Sequence, residues 1–161
     1  MRDILIERTP NADTRTAEGD VTKMQLYTAS EKHCYAVKFC LSVLAEELDK
    51  IGYAHDYTKL DSQGIEQFYQ DFRKTRETGA DFTELPWYRR HLKEERHHLN
   101  QRCPDDVNLL DVLEMVADCC MAGLARKGEV FPVDISDEIL QKAVQNTVKL
   151  IKEHTKVLSD D

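Results

Sequence analysis

Residues 108–128 read NLLDVLEMVADCCMAGLARKG, and their periodicity decides the fold class. Leu109, Leu110, Leu113, Val116, Ala117, Cys120, Met121 and Leu124 recur at three- and four-residue spacing, which gathers them on one side of a helix from about Asn108 to Arg126. Gly128 then offers a stop, because glycine enters the left-handed conformation that closes a helix. Upstream, Val37, Cys40, Leu41, Val43, Leu44, Leu48 and Ile51 repeat the pattern from Ser30 to a stop at Gly52. A helix starting at Asp61 or Ser62 carries Ile65, Phe68, Tyr69 and Phe72 until Thr78-Gly79-Ala80-Asp81 breaks it. Another spans about Leu85 to Asn100. The last follows an N-cap in Asp134-Ile135-Ser136 and uses Ile139, Leu140, Ala143, Val144, Val148 and Ile151. No strand pair and no repeat stands out. The expected fold is all-α, a single-domain compact bundle of about five helices over residues 29–158. A polar arm at residues 1–28 precedes it, where Ile4-Leu5-Ile6 suits a strand, an arm or an interface segment.

Composition narrows the function classes. With 161 residues the chain is long enough to bury about two-thirds of the surface its unfolded form exposes. The net charge of −8 argues against general nucleic-acid binding, which needs a broad basic surface. Arg89, Arg90, Lys93 and Arg96, with Arg102 beyond, form a local basic exception that suits a small phosphorylated or carboxylated substrate. The same arginines also suit a solvated helix face paired with Glu94 and Glu95. Five cysteines without a CxxC spacing fit neither a disulfide framework nor a zinc ribbon, so a reducing cytoplasmic setting is expected. No run approaches the roughly 18 apolar residues of a membrane span, and no signal-peptide pattern opens the chain.

The chemistry is concentrated in histidine and aspartate. His55-Asp56-Tyr57-Thr58-Lys59 sets an imidazole beside a carboxylate, two groups able to share a metal, with the carboxylate terminal or bridging. If this segment is helical, Lys59 converges on both, where it would hold a substrate anion or stabilise charge in the transition state; the alternative is a plain Asp–Lys helix pair. His33 lies one turn before Val37 and is expected to point inward. His91 and His98 are seven residues apart, about 10.5 Å along a straight helix, so either the helix breaks between them or they serve two metals. His97 points elsewhere on an ideal helix and reads as a substrate contact or a supporting group, the alternative being an exposed His-His pair. Asp111, Glu114 and Asp118 share a face. Asp118 sits in an almost wholly apolar run, where a carboxylate should be metal-bound or paired with an arginine such as Arg126 or Arg90.

In this order, His33, His55-Asp56-x-x-Lys59, His91, His97-His98 and Asp118 resemble the HD-domain superfamily of metal-dependent phosphohydrolases, in particular members with an HDxxK motif and extra histidines. The resemblance covers roughly residues 30–125. The chain is also similar to a group of small bacterial and phage proteins with an HDxSK-like motif followed by HxxxxxHH. The superfamily implies a helical core with one or two divalent ions, commonly iron, manganese or zinc, and activated water attacking phosphorus. Matched by position, the metal ligands would be His33, His55, Asp56 and Asp118, with His91 and His98, or His97 in its place, completing a second metal. Asp56 and Lys59 would be catalytic, and Lys59, Arg89, Arg90, Arg96 and His97 would meet the substrate. No GYP-type segment follows the histidine pair, so cleavage of cyclic dinucleotides is not implied. The expected function is hydrolysis of a nucleotide or another small phosphate ester. The alternatives are the mixed-valent di-iron oxygenases of the same superfamily and a non-catalytic metal-binding or interaction protein. A homodimer through the arm or the last helix is a further expectation, and so is use of both to complete a monomer core.

Overall fold

The computed structural model describes residues 1–17 and 19–158. Along the chain come strand β1 (Ile4–Glu7), a 3-10 turn (Pro10–Ala12), and helices α1 (Lys23–Ala54), α2 (Tyr57–Leu60) and α3 (Ser62–Thr78). A second 3-10 turn (Phe82–Glu84), helices α4 (Pro86–Glu94), α5 (Leu109–Lys127) and α6 (Asp137–His154), and strand β2 (Thr155–Leu158) complete the order. The fold is all-α, with five longer helices and the single-turn α2. Two compact units partition it, Met1–Asp49 with the residues from Val148 onward, and Lys50–Thr147.

In the first unit β1 runs parallel to β2, Ile4 opposite Thr155, with Ile4 fully buried. The expectation of no strand pair is corrected here. Each strand is only four residues long and almost the whole chain separates them, so no local pattern announces the pairing. Helix α1 begins at Lys23, earlier than Ser30, and takes in the C-terminal end of the expected arm, residues 23–28. It also passes through Gly52, since one mid-helix glycine costs only about 1 kcal/mol, and stops where Asp56 adopts a left-handed backbone with φ 56°. Val43 is its one buried residue.

The second unit holds the remaining helices and a core of Leu99, Val107, Val112, Met115 and Ala143. Asp61 caps α3 by accepting from the amides of Gln63 and Gly64, and Gly79 at φ 71° closes it. Asn108 and Asp111 form a reciprocal capping box on α5, and Gly128 at φ 77° ends that helix. The buried face of α5 is turned from the expected stripe: Val112 and Met115 are inside, while Leu113, Met121 and Leu124 are exposed. That rotation leaves Glu114 and Asp118 on the flank that faces the histidines. Helix α4 ends at Glu94, well before Asn100, and the chain turns back through His97 and His98. Among the described residues no helix is long and apolar enough to cross a membrane.

Candidate metal centre

His55, Asp56, His91, His97, His98 and Asp118 converge in the second unit. Their ligand atoms form two overlapping groups, Asp56 with His91, His97 and His98, and His97 with His55 and Asp118; within each group all such atoms lie within 4.8 Å of one another. Asp56 spans both. Its Oδ1 is 3.5 Å from His91 Nε2 and 3.7 Å from His97 Nε2, and its Oδ2 is 3.4 Å from His55 Nε2. Asp118 completes the far side, 3.6 Å from His55 Nε2 and 4.0 Å from His97 Nε2. The break after α4 is what brings His98 back, so that its Nε2 lies 2.7 Å from that of His91.

His91 and His55 are each aimed by a hydrogen bond on the far nitrogen. Thr58 donates its hydroxyl to Glu95 Oε1 (2.7 Å), leaving the hydroxyl oxygen to accept from His91 Nδ1 (2.7 Å). His91 therefore carries its proton on Nδ1, and its Nε2, which faces Asp56, accepts from His98 Nε2. Trp87 stacks on the same ring at 4.7 Å, anchored by Nε1 donating to the Thr58 carbonyl. Glu114 does the same for two rings at once, its Oε1 lying 2.9 Å from His55 Nδ1 and 3.1 Å from His97 Nδ1. The His55 contact is a hydrogen bond; the His97 contact is close but not aligned as one. Carboxylates and hydroxyls behind ligating imidazoles fix tautomer and ring direction in metal sites generally.

The donor set fits a divalent ion. Asp56 Oδ1 and His97 Nε2 are buried without a hydrogen-bond partner among the described residues, an expensive arrangement unless a cation satisfies them. Two ligands of one tetrahedral ion with bonds near 2.1 Å sit about 3.4 Å apart, and the imidazole–carboxylate separations of 3.4 to 3.7 Å match that spacing. Neutral imidazoles and carboxylates suit zinc, iron or manganese alike.

Several expected roles change. His33 is exposed on α1 in the first unit and belongs to neither group, because the α1 stripe that would turn it inward is itself exposed. His97, expected either to meet substrate or to stand in for His98 as a ligand, is 1% exposed and common to both groups. The arginines expected to bind substrate are committed to carboxylates. Arg89 pairs with Glu84, Arg90 with Asp61 and Glu94, and Arg96 grips buried Asp111 with two bonds of 2.7 and 2.9 Å while also reaching Asp106. Asp118 pairs with histidines rather than with an arginine. Lys59 reaches Asp56 Oδ2 and stays about one-quarter exposed at the edge of the cluster. Glu114, Glu95 and Thr58 support the histidine cluster by contacts that the motif order does not pick out; the four-residue spacing from Glu114 to Asp118 is the one sequence signal for any of them.

Without metal the site holds opposed charges. Asp118, with Asp56 and Glu114, pushes His55 up to about 11. Burial, reinforced by the neighbouring imidazoles, pushes His91 down to about 3 and His98 to about 4. Burial would raise Glu114, but the hydrogen bond from His55 and the close His97 imidazole outweigh it and hold the carboxyl at about 2. From pH 6.5 down to about 4 the unfolded chain binds protons at His91 and His98 that the folded protein refuses, so stability falls with pH. From pH 6.5 up to about 11 the folded protein keeps a proton on His55 that the unfolded chain has lost, so stability falls again. Glu114 stabilises above its unfolded pKa of 4.5, a contribution lost as pH drops through about 2. The melting temperature of chelator-treated protein should therefore peak near neutrality; a profile flat from pH 4 to 9 would contradict this charge arrangement.

Residues 22–161 match the model of DUF5662, described as a family of unknown function. No curated protein and no solved structure matches the chain.

Proposed function

The chain belongs to the DUF5662 family, and since that premise brings no chemistry with it, we propose from the site itself that the protein is a metal-dependent phosphohydrolase acting on a small phosphate ester. The observation that carries this reading is the pair of overlapping donor groups joined through Asp56 and His97, with one lysine at its edge. The likeness to the HD-domain order supports it, with His97 standing in the ligand set where His33 was expected.

Held by these residues, a divalent ion supplies a Lewis acid and lowers the pKa of coordinated water from 15.7 to about 7. Asp56 links the two donor groups, while Glu114 and the Glu95–Thr58 pair keep the imidazole nitrogens turned toward it. Lys59 is the nearby cation open to solvent, and its ammonium can pass from Asp56 to a phosphate oxygen as charge builds there. With Arg89, Arg90 and Arg96 neutralised by acidic partners, the site favours a substrate of low charge over a polyphosphate.

The test is chelator-stripped protein reloaded separately with manganese, iron(II) and zinc, then offered aryl phosphomonoesters and phosphodiesters. Hydrolysis that falls at least a hundredfold in Lys59→Ala, with metal content unchanged, is the expected result. A nitrogen-rich set of four histidines also suits iron, which favours oxygen chemistry as the second reading. Oxygen uptake without ester hydrolysis would replace the proposal with that reading, and a loaded protein inert in both assays would leave a non-catalytic metal-binding protein.

A further inference from the structure

We propose that a second copy of this chain packs on the outer face of α1, the two helices running antiparallel about a two-fold axis near Cys34 and Tyr35. Helix α1 has two apolar stripes. One turns Ala36, Cys40 and Val43 inward. The other, Tyr27, Cys34, Val37 and Leu41, is open to solvent, with Tyr27 at 63%, Val37 at 47% and Leu41 at 60% exposure. Tyr27, Cys34 and Leu41 are seven residues apart and Val37 follows Cys34 by three, the spacing of a two-helix seam. Isolated exposed apolar residues are ordinary, but a stripe in seam register along about four turns of one helix is an interaction surface.

The border of this stripe identifies the occupant. Glu31 and Lys38 lie along one edge, exposed and in no ion pair among the described residues. A two-fold axis midway between them sets Glu31 of each copy against Lys38 of the other, so one operation matches both charges. It also brings Tyr27 of each helix over the Leu41 turn of its neighbour. A parallel, in-register pair would set that charged edge against the opposite one, which carries Leu26 and His33, and would leave both charges unmatched. The stripe from Tyr27 to Leu41 is about 21 Å long and about 10 Å wide, about 200 Å² per copy, well below the roughly 800 Å² per partner of a standard interface, so the association is weak and depends on concentration.

Sedimentation velocity of the untagged full chain, from low to high micromolar concentration, tests the proposal. The expected result is a shift from 18.6 kDa toward twice that mass. Leu41→Glu, at an exposed position, should remain monomeric throughout with an unchanged far-ultraviolet circular dichroism spectrum. Glu31→Lys and Lys38→Glu should each weaken association about tenfold, from two lost pairs and two like-charge contacts, and their combination should restore it. A monomer at every concentration, or a dimer indifferent to Leu41→Glu, would overturn the surface. Failure of the double exchange to restore association would overturn the antiparallel register.

Discussion

Replacing His97 with alanine is expected to strip the protein of bound metal entirely. Each other ligand atom belongs to one of the two donor groups, but His97 belongs to both, and at 1% exposure no water-filled alternative replaces it. Its Nε2 faces Asp56 and Asp118, and its Nδ1 rests beside Glu114. The substitution removes the shared donor and also takes from Glu114 one of the two rings it holds. Changes to the groups behind a ligand usually cost 10- to 100-fold in metal affinity, so loss of a ligand common to both groups should exceed a hundredfold. His33→Ala is the matched control. Exposed and outside both groups, it should leave metal content and affinity unchanged. Metal titration followed by calorimetry would read both variants, and a His97→Ala protein that keeps the full complement would return His97 to the role of a substrate contact.

Gly64→Ala is expected to lower stability by about 1–3 kcal/mol, the range for an overpacked core, and to weaken metal binding as well. In most helices that exchange stabilises by roughly 0.5–1 kcal/mol. Here a Cβ on Gly64 would stand 1.9 Å from the Thr58 carbonyl oxygen and 2.9 Å from its carbonyl carbon. These are backbone atoms, and no rotamer relieves the clash. The Thr58 carbonyl also receives the Trp87 indole N–H, and the Thr58 hydroxyl holds His91. Moving Thr58 therefore misaligns the imidazole that joins Asp56 and His98. Gly79→Ala separates the two effects. Its positive φ of 71° makes alanine strained, but open space surrounds it, so stability should fall while metal affinity holds. Thermal melts of the metal-free variants, paired with metal titrations, would distinguish them. Equal metal affinity in Gly64→Ala and wild type would show that the clash is absorbed without moving Thr58.

Helix positions were legible wherever capping chemistry agreed with periodicity, as at Asp61 and Gly79 for α3 or Asn108 and Gly128 for α5. The approach of β1 to β2 was not, since parallel pairing of two four-residue strands rests on contacts across nearly the full chain. The end of α4 was half legible. Seven residues between His91 and His98 required either a break or two metals, and the break arises where Glu95 and Arg96 turn to Thr58 and Asp111, partners that spacing alone does not reveal. His55, Asp56, His91, His98 and Asp118 could be picked out because metal ligands must be histidine or carboxylate. Glu114 could not be told from Asp111 on the same face, although one supports two imidazoles and the other neutralises Arg96. Basic residues clustered in sequence suit a binding patch, yet Arg89, Arg90 and Arg96 each pair with a carboxylate in the fold and Arg102 bonds the Lys93 carbonyl.

The most direct test of the account is the metal content of untagged wild-type protein, purified without chelators and measured by elemental mass spectrometry beside His55→Ala and Asp118→Ala. One or two equivalents of a divalent ion in the wild type, reduced in both variants, is the result the convergence of these side chains predicts. A wild type that remains metal-free after reconstitution with iron, manganese and zinc would contradict it, and the cluster would then be a buried network of hydrogen-bonded histidines and acids.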